Sequence, residues 1–250
     1  MLPAERRDLL LARLGAHGKV VAKEFAVEFG LSEDSVRRDL RELAEAGLCQ
    51  RVYGGALPAS PAVADYGTRV SVEPSSKQRV AGAAAKLIHA GSTVILDGGT
   101  TTLALARLVP RELRFTVVTH SPTIAVALND HPGVDVYLLG GRVFKHSAVT
   151  CGAAAVEAAD GISADVFFLG VTGVHPEAGL TTGDADEAAM KRALARRAAE
   201  TYVLGSAEKI GAASRYKVLP FASVAGLVTD VERNDLTDSL ADAGLRVMHA

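Results

Sequence analysis

The residues best suited to bind a small anion follow a β-rich run in the middle of the chain. The segment Val94-Ile-Leu-Asp-Gly-Gly-Thr-Thr-Thr102 predicts a strand, a turn at two glycines and a helix that begins among three threonines. N–H groups at the start of a helix attract an anion such as phosphate, glycine allows close backbone approach, and threonine hydroxyls add donors. Neither GK[ST] nor GxGxxG is present, so a plain strand-to-helix turn with threonine as N-cap remains an alternative. The candidate effector-binding residues here are Asp97, Gly98, Gly99, Thr100, Thr101 and Thr102.

Two further strand-like runs end in polar or glycine-rich segments, Val118-Thr-His-Ser-Pro122 and Leu139-Gly-Gly-Arg-Val143. In a parallel sheet the carboxyl ends of the strands share one edge, and ligands bind at that edge in open α/β folds. We therefore expect a ligand site there. Arg142 is a possible phosphate partner, and a plain surface arginine is an equal alternative. This region adds the candidates Thr119, Ser121, Gly140, Gly141 and Arg142.

Strand-like and helix-like patterns alternate from residue 75 onward. A helix is expected at 76–90, and strands are expected at 93–96, 115–118, 134–139, 166–169, 201–204, 225–228 and 246–248. Helical patterns lie between most of them, at 101–108, 122–129, 153–159, 186–200 and 232–243. This alternation predicts an α/β domain with a mostly parallel sheet that is covered on both faces.

The first 57 residues instead predict a small winged helix-turn-helix. Helices are expected at 3–16, at 21–29 and, after the N-cap Ser32, up to residue 46. Two helices separated by a tight turn with Gly30 form the helix-turn-helix pattern. A strand at 48–53, the turn Gly54-Gly55 and a returning strand predict a wing. We therefore expect three regions: a DNA-binding domain at 1–57, a linker at 58–74 that is marked by three prolines, and an α/β domain at 75–250. The α/β domain is the expected place of effector binding and oligomerisation.

The third helix is the expected DNA-reading element. On a helical wheel Val36, Leu40 and Leu43 share a core-facing stripe, whereas the opposite face is charged. Arginine can hydrogen-bond to a guanine base or to a phosphate. Serine or aspartate can contact a base edge or hold the helix in position on the DNA. Residues 1–60 hold nine Lys/Arg and nine Asp/Glu, so DNA binding requires the basic residues to lie on a different surface from the acidic ones. The alternative is an amphipathic helix whose charged face is simply solvated. The DNA-binding candidates are Ser32, Asp34, Ser35, Arg37, Arg38, Arg41, Arg51 and Tyr53.

Composition limits the other classes of protein. The formal net charge is -2 and 48% of the residues are hydrophobic, which fits a folded chain without a bulk positive charge. Two distant cysteines, Cys49 and Cys151, predict neither a disulfide framework nor a zinc site. No apolar run is long enough for a signal sequence or a membrane span. We expect a cytoplasmic protein with no metal, no cofactor and no membrane partner.

The stretch Val36-Arg-Arg-Asp-Leu40, followed by Leu43, Gly47 and Arg51-Val-Tyr-Gly-Gly-Ala56, resembles the DeoR/GlpR family of bacterial transcriptional regulators. Arg37 and Arg38 match the family's arginine pair. Asp39 lies near the core edge of the wheel and is expected to brace an arginine. The resemblance implies a repressor of carbohydrate-metabolism genes that binds double-stranded operator DNA. Palindromic operators further imply at least a dimer, so we expect a homo-oligomer, dimer or tetramer.

The second part of the chain resembles the family's sensor domain, which is related in fold to ribose-5-phosphate isomerase. The resemblance implies a phosphorylated sugar or related metabolite as effector, and it adds Glu187, Lys191 and Lys209 to the effector-binding candidates. An exposed i,i+4 pair is the alternative for Glu187 and Lys191. Three residues depart from the family pattern, namely Gly98, His120 and Ser206. His120 is expected to be a partly exposed structural histidine, with ligand contact as the alternative.

Two other functions remain to be distinguished from the regulator. A sugar-phosphate isomerase-like enzyme with an appended helix-turn-helix would need a carboxylate base, and Asp97, Asp184 and Glu187 are the candidates. Such an enzyme has no use for Arg37, Arg38 and a glycine-rich wing, so we expect no catalytic residues. A winged helix that contacts only proteins is the third possibility.

Overall fold

The computed structural model describes residues 1–250, apart from the side chain of Val63. The N-terminal elements are α1 (Pro3–His17), β1 (Val20–Val21), α2 (Ala22–Glu28), α3 (Glu33–Glu45), β2 (Cys49–Val52) and β3 (Gly55–Pro58). The three strands form a small antiparallel sheet with β3 in its centre. Leu10, Phe25 and Leu40, one from each helix, are buried together beneath it. These elements form the winged helix-turn-helix that the sequence predicts.

The glycine pair in the wing has two separate physical reasons. Gly54 has a φ of 79°, a left-handed conformation that tightens the turn between β2 and β3. Gly55 pairs with Val21, and a Cβ built on it would lie 1.8 Å from the carbonyl oxygen of Val20. A side chain at residue 55 would therefore prevent β1 from pairing with β3. The sequence patterns did not predict β1.

A short 3-10 helix (Pro61–Val63) and two helices, α4 (Tyr66–Ser71) and α5 (Pro74–Ala85), lead into the larger domain. Its central sheet contains β4 (Thr93–Leu96), β5 (Phe115–Thr119), β6 (Val134–Leu138), β9 (Ala164–Gly170), β12 (Ala198–Leu204), β14 (Gly226–Thr229) and β15 (Val247–His249). The strand order is β15-β14-β12-β9-β4-β5-β6, and every neighbouring pair is parallel. The predicted α/β fold with a mostly parallel sheet is confirmed.

Helices cover both faces of this sheet. The remaining helices are α6 (Thr100–Leu108), α7 (Pro122–Leu128), α8 (Ala153–Ala159), α9 (Ala185–Ala195) and α10 (Asp235–Asp242). Val94 and Leu96 of β4 lie in one hydrophobic cluster, and Ile95 lies in the other. Because successive strand residues point to opposite faces, a strand that is buried on both faces is apolar at every position.

Two antiparallel hairpins were not predicted. They are β7 (Arg142–Phe144) with β8 (Val149–Cys151), and β10 (Gly173–His175) with β11 (Gly179–Thr182), the latter extended by β13 (Tyr216–Lys217). Two helix ends were also wrong. The helix predicted at 76–90 ends at Ala85. The helix predicted at 186–200 ends at Ala195, because residues from Ala198 onward pair with β9 as β12.

The proposed linker at 58–74 needs correction, because it is folded against the larger domain. Ser60 and Arg69 are buried, and α4 occupies part of the segment. The Ser60 hydroxyl donates a hydrogen bond to the carbonyl of Thr172, and the N–H of Ala213 donates to the carbonyl of Pro58 at 3.2 Å. The prolines therefore shape an ordered segment, which we call the strap (residues 58–71). The strap connects the wing to the larger domain.

Candidate functional site

A cavity lies at the carboxyl ends of the central strands, beside the strap. It encloses about 500 Å³ of empty space, including its open mouth. The turn after β4 forms one wall, the strap and α5 form a second, and α9 forms a third. Its polar and glycine walls include Arg69, Lys77, Gly98, Gly99, Thr100, Thr101, Thr102, Ser147, Thr172, Glu187, Lys191, Glu208 and Lys209. This is the edge of the sheet at which the sequence predicts a ligand.

Asp97 does not itself line the cavity; it lies just beneath the floor, next to Gly98 and bound to Lys191, and is fully buried. Its carboxylate accepts hydrogen bonds from the Lys191 ammonium (2.6 Å) and from the backbone N–H groups of Gly98 and Gly170 (both 2.8 Å). His120 Nε2 lies 2.8 Å from the same carboxylate. Burial alone would raise the pKa of Asp97, but the charge of Lys191 and the hydrogen bond with His120 outweigh it and lower the pKa to about 2. Asp97 is therefore a fixed anion that orients Lys191.

His120 is completely buried, which corrects the prediction of a partly exposed histidine. Its Nδ1 lies 2.8 Å from the carbonyl oxygen of Thr150, and its Nε2 faces the Asp97 carboxylate. Nε2 also accepts a hydrogen bond from the backbone N–H of Gly98 at 3.3 Å, so His120 connects β8 to the turn after β4. It is not among the residues that line the cavity.

Lys209 enters the cavity from a short 3-10 helix (Ala207–Lys209). Its ammonium donates a hydrogen bond to the hydroxyl of Thr101 at 2.8 Å. Within the described part of the chain, it makes no ion pair. Burial, together with repulsion from nearby cations, outweighs the attraction of Glu208 and lowers the pKa of Lys209 to about 8. The site therefore holds a cation whose charge the surrounding groups do not fully compensate.

Two more buried cations come from the strap and α5. The Lys77 ammonium donates to the carbonyls of Arg69 and Val72, and it lies 3.8 Å from Glu208. Arg69 donates to Ser147, while its Nε has no hydrogen-bond partner among the described residues. Burial lowers the pKa of both side chains. An oxyanion in the cavity would offer Arg69 Nε the partner that it lacks and would add a negative charge beside Lys77.

The structure brings together eight of the predicted effector residues as cavity walls and places Asp97 beneath them. The other five predictions need correction. Thr119 is buried, and its hydroxyl donates to the carbonyl of Leu96. Ser121 is buried, and its hydroxyl donates to the carbonyl of Ala148. Gly140, Gly141 and Arg142 are exposed and do not line the cavity, because β6 lies at the sheet edge, two strands from β4.

Glu187 and Lys191 are both buried, so they are not an exposed helical pair. Both line the cavity, yet the carboxylate that binds Lys191 belongs to Asp97 and not to Glu187. Sequence reasoning missed Arg69 and Lys77. The signal for them was weak: two basic residues in a segment assigned to a linker and to the start of a helix.

The geometry does not favour a proton-transfer role for Asp97 or Asp184. Asp97 is held by four groups and is strongly ionised. Asp184 is the N-cap of α9 and accepts hydrogen bonds from the N–H groups of Asp186 and Glu187. Within the described residues, no group of three or more His, Cys, Asp or Glu side chains is arranged to hold a metal ion.

The predicted DNA-reading surface lies on α3. Val36, Leu40 and Leu43 are buried, as the wheel predicts, while Arg38 and Arg41 are exposed. Ser32 is the N-cap, and its hydroxyl accepts a hydrogen bond from the N–H of Ser35 at 3.2 Å. Asp34 is also exposed, and Ser35 is half-buried. The candidate side chains at the start of α3 thus lie on the side opposite the core.

The arginines of α3 differ in their partners. Arg37 Nη2 lies 2.6 Å from Glu33, one turn earlier on the same helix. Arg38 and Arg41 make no ion pair among the described residues. On the wing, Arg51 and Tyr53 are exposed, and Tyr53 extends fully into solvent. These unpaired groups are suited to phosphate or base contacts.

Asp39 is buried and binds Arg6 of α1 through both carboxylate oxygens. The Nη2–Oδ1 distance is 3.1 Å. The expectation that Asp39 braces an arginine is therefore met by Arg6. This ion pair connects α1 to α3 and sets the direction of the DNA-reading helix.

Two family models match the chain. The model of the DeoR C terminal sensor domain matches residues 72–231, and that of the DeoR-like helix-turn-helix domain matches residues 6–61. No helix in the described structure is long and apolar enough to cross a membrane.

Curated relatives match over nearly their whole length. The HTH-type transcriptional regulator GlpR of Haloferax volcanii is 30% identical over 99% of this chain and 98% of its own. The putative aga operon transcriptional repressor of Escherichia coli O157:H7 is 31% identical over 98% of this chain and 93% of its own. Among solved structures, ribose 5-phosphate isomerase A from Methanocaldococcus jannaschii is similar with a TM-score of 0.40 and 19% identity, over 53% of this chain and 52% of that chain. That structural likeness is too low to carry a conclusion.

Proposed function

The chain belongs to the DeoR family of helix-turn-helix transcriptional regulators, and from this premise we propose that it represses genes of carbohydrate metabolism in response to a phosphorylated sugar or related metabolite. The resemblance seen in the sequence is confirmed, and the protein is a DNA-binding regulator with a sensor domain for a small molecule. The relative from Escherichia coli is named for the aga operon. Operator DNA lies in the cytoplasm, so we propose that the protein acts there.

The charge of the cavity is the observation that supports a phosphorylated effector. Four buried cations, Arg69, Lys77, Lys191 and Lys209, surround it, against the three carboxylates of Asp97, Glu187 and Glu208. Asp97 is already bound to Lys191, and the Lys209 charge is undercompensated. A phosphate group would compensate this charge and accept hydrogen bonds from the threonines after Gly99. Glu187 and Glu208 would accept hydrogen bonds from hydroxyl groups of the same ligand.

For DNA, we propose that α3 enters the major groove of double-stranded operator DNA, with its N-terminal residues at the bases and Arg51 and Tyr53 of the wing at the backbone. Two copies of the winged helix would bind the two halves of a palindromic operator, so the protein would act as a homo-oligomer. The effector would bind one arrangement of the winged helices better than the other and thereby change operator affinity.

The test begins with an operator that the full-length protein selects from random double-stranded DNA. Operator affinity and thermal midpoint are then measured with phosphorylated sugars and with the same sugars lacking phosphate. We expect at least one phosphorylated sugar to raise the midpoint and to change the operator Kd by ~5-fold or more. The proposal fails if no sequence is enriched, or if only the uncharged sugars bind.

A further inference from the structure

A second, wider cleft lies directly beside the effector cavity, beneath the wing. Ala62, Ser147, Thr172 and Glu187 line both spaces, so the two are adjacent and share a wall. The cleft encloses about 830 Å³ of empty space, including its open mouth. Gln50 of β2 also lines the cleft, so the DNA-binding domain contributes directly to its wall.

The two spaces differ in charge. Cations dominate the cavity, whereas the cleft carries two carboxylates, Asp184 and Glu187, against the single guanidinium of Arg215. The neutral amide of Gln50 and the ring of His146 also line it. One carboxylate oxygen of Asp184 caps α9, and the other has no hydrogen-bond partner among the described residues. The cleft therefore suits a neutral ligand segment rich in hydroxyl groups, which can donate to Asp184 and bind the Gln50 amide.

The lining that the cavity and the cleft share is attached to the wing through the strap. Ser60 of the strap is buried and donates its hydroxyl to the carbonyl of Thr172, which lines both spaces. Thr172 Oγ1 donates to Ser214 at 2.7 Å. Ala59 forms a β-bridge with Ala213, directly after β3 of the wing ends at Pro58. A ligand that moves this wall would therefore move β3.

We propose that the effector spans both spaces, with its anionic group in the cavity and a polyhydroxylated chain in the cleft, where Gln50 of the wing contacts it. This inference rests on the anion site of the proposed function. The occupied cleft then favours one position of the winged helix over the other, because Gln50 contacts the ligand in only one of them. Binding of the anionic group alone fills the cavity but leaves the wing free.

The experiment distinguishes ligand binding from its effect on operator affinity, which we call coupling. The probes are inorganic phosphate, glycerol 3-phosphate and a hexose 6-phosphate, each added to the full-length protein. Thermal midpoint reports binding, and the ratio of operator Kd with and without each probe reports coupling. We expect inorganic phosphate to raise the midpoint but to change operator Kd less than ~2-fold. The hexose phosphate should change it ~5-fold or more, with glycerol 3-phosphate in between.

Gln50→Ala and His146→Ala should reduce the effect of the hexose phosphate on operator Kd to less than ~2-fold while retaining the midpoint shift with inorganic phosphate. Lys145→Ala is the matched control, because Lys145 is exposed beside His146 but does not line the cleft. If both variants keep the wild-type ratio, or if inorganic phosphate alone matches the hexose phosphate, the spanning ligand is wrong. If none of the three probes shifts the midpoint, the anion site itself is wrong, and this inference fails with it.

Discussion

Lys191 Nζ lies 2.6 Å from Asp97 Oδ2, and both side chains are buried although they are 94 residues apart in the chain. This pair connects the end of β4 to α9 across the floor of the effector cavity. A buried ion pair adds little net stability compared with an apolar pair, but removal of one partner leaves an uncompensated charge. The pair therefore acts mainly to place a cation at the site.

Asp97→Asn should destabilise the protein at neutral pH by about 3 kcal/mol, because Lys191 would remain buried without its carboxylate. Urea denaturation of the full-length protein measures this change. Asp135→Asn on the exposed face of the edge strand β6 is the control and should have little effect. An Asp97→Asn protein as stable as the wild type would show that the ion pair is not formed.

The stability of the wild-type protein should fall in acid in part because of Asp97. Its pKa is about 2 in the folded protein, against the ordinary value of 3.8, so the unfolded chain takes up this proton first as pH falls. The stabilisation is complete above about pH 4, is lost between about pH 4 and pH 2, and amounts to about 2 kcal/mol. The difference in free energy of unfolding between wild type and Asp97→Asn should shrink over this range. A constant difference would contradict the assignment.

Lys209→Ala should weaken the response to the effector without weakening operator binding, because Lys209 lines the cavity and does not belong to the winged helix-turn-helix. Binding of a phosphorylated probe to the wild type should also weaken as pH rises through about 8, where Lys209 loses its proton. Titration calorimetry at several pH values measures binding of the probe. The operator Kd with and without the probe measures the response. Lys217→Ala on β13, where Lys217 is exposed, is the control. If the effector changes operator affinity of the Lys209→Ala protein as much as it does for the wild type, Lys209 is not part of the site.

The double variant Arg37→Ala and Arg38→Ala should abolish specific operator binding while the protein stays folded. Arg38→Ala alone should cost more than Arg37→Ala, since Arg37 is already paired with Glu33. Each lost phosphate contact should reduce the slope of log K against log salt by about 1, and a lost base contact should cost about 1–3 kcal/mol at one operator position. Fluorescence anisotropy across salt concentrations measures these values, with Arg111→Ala in the larger domain as control. Wild-type affinity of the double variant would show that α3 does not dock as proposed.

Asp39→Asn should lower the stability of the winged helix by about 1–3 kcal/mol, because Arg6 would lose a charged hydrogen-bond partner. Operator affinity should also fall, although Asp39 itself is buried and touches no DNA. Hydrogen exchange of α1 and α3 amides measures local opening. Protection equal to wild type in both helices would mean that the Arg6–Asp39 pair does not hold them together.

Local sequence patterns were sufficient to predict the elements whose structure depends on residues close to them in the chain. The apolar stripe of α3, the N-cap at Ser32 and the glycine pair of the wing are periodic or turn signals, so each could be interpreted without a tertiary model. The alternation of strands and helices likewise predicted the parallel sheet. The same reasoning failed at 58–74, because proline there marks an ordered strap as readily as a flexible linker.

The sequence by itself determined the winged helix, the α/β class and the glycine–threonine turn after β4, since these depend on residues that are close in the chain. Only the tertiary structure decided which charges meet. Arg69, Lys77, Lys191 and Lys209 come from four separate segments, and their shared cavity exists only because the strap and α9 fold over the ends of the same strands. Burial then lowers the pKa of Arg69, Lys77 and Lys209, whereas the charge of Asp97 outweighs burial at Lys191 and raises its pKa.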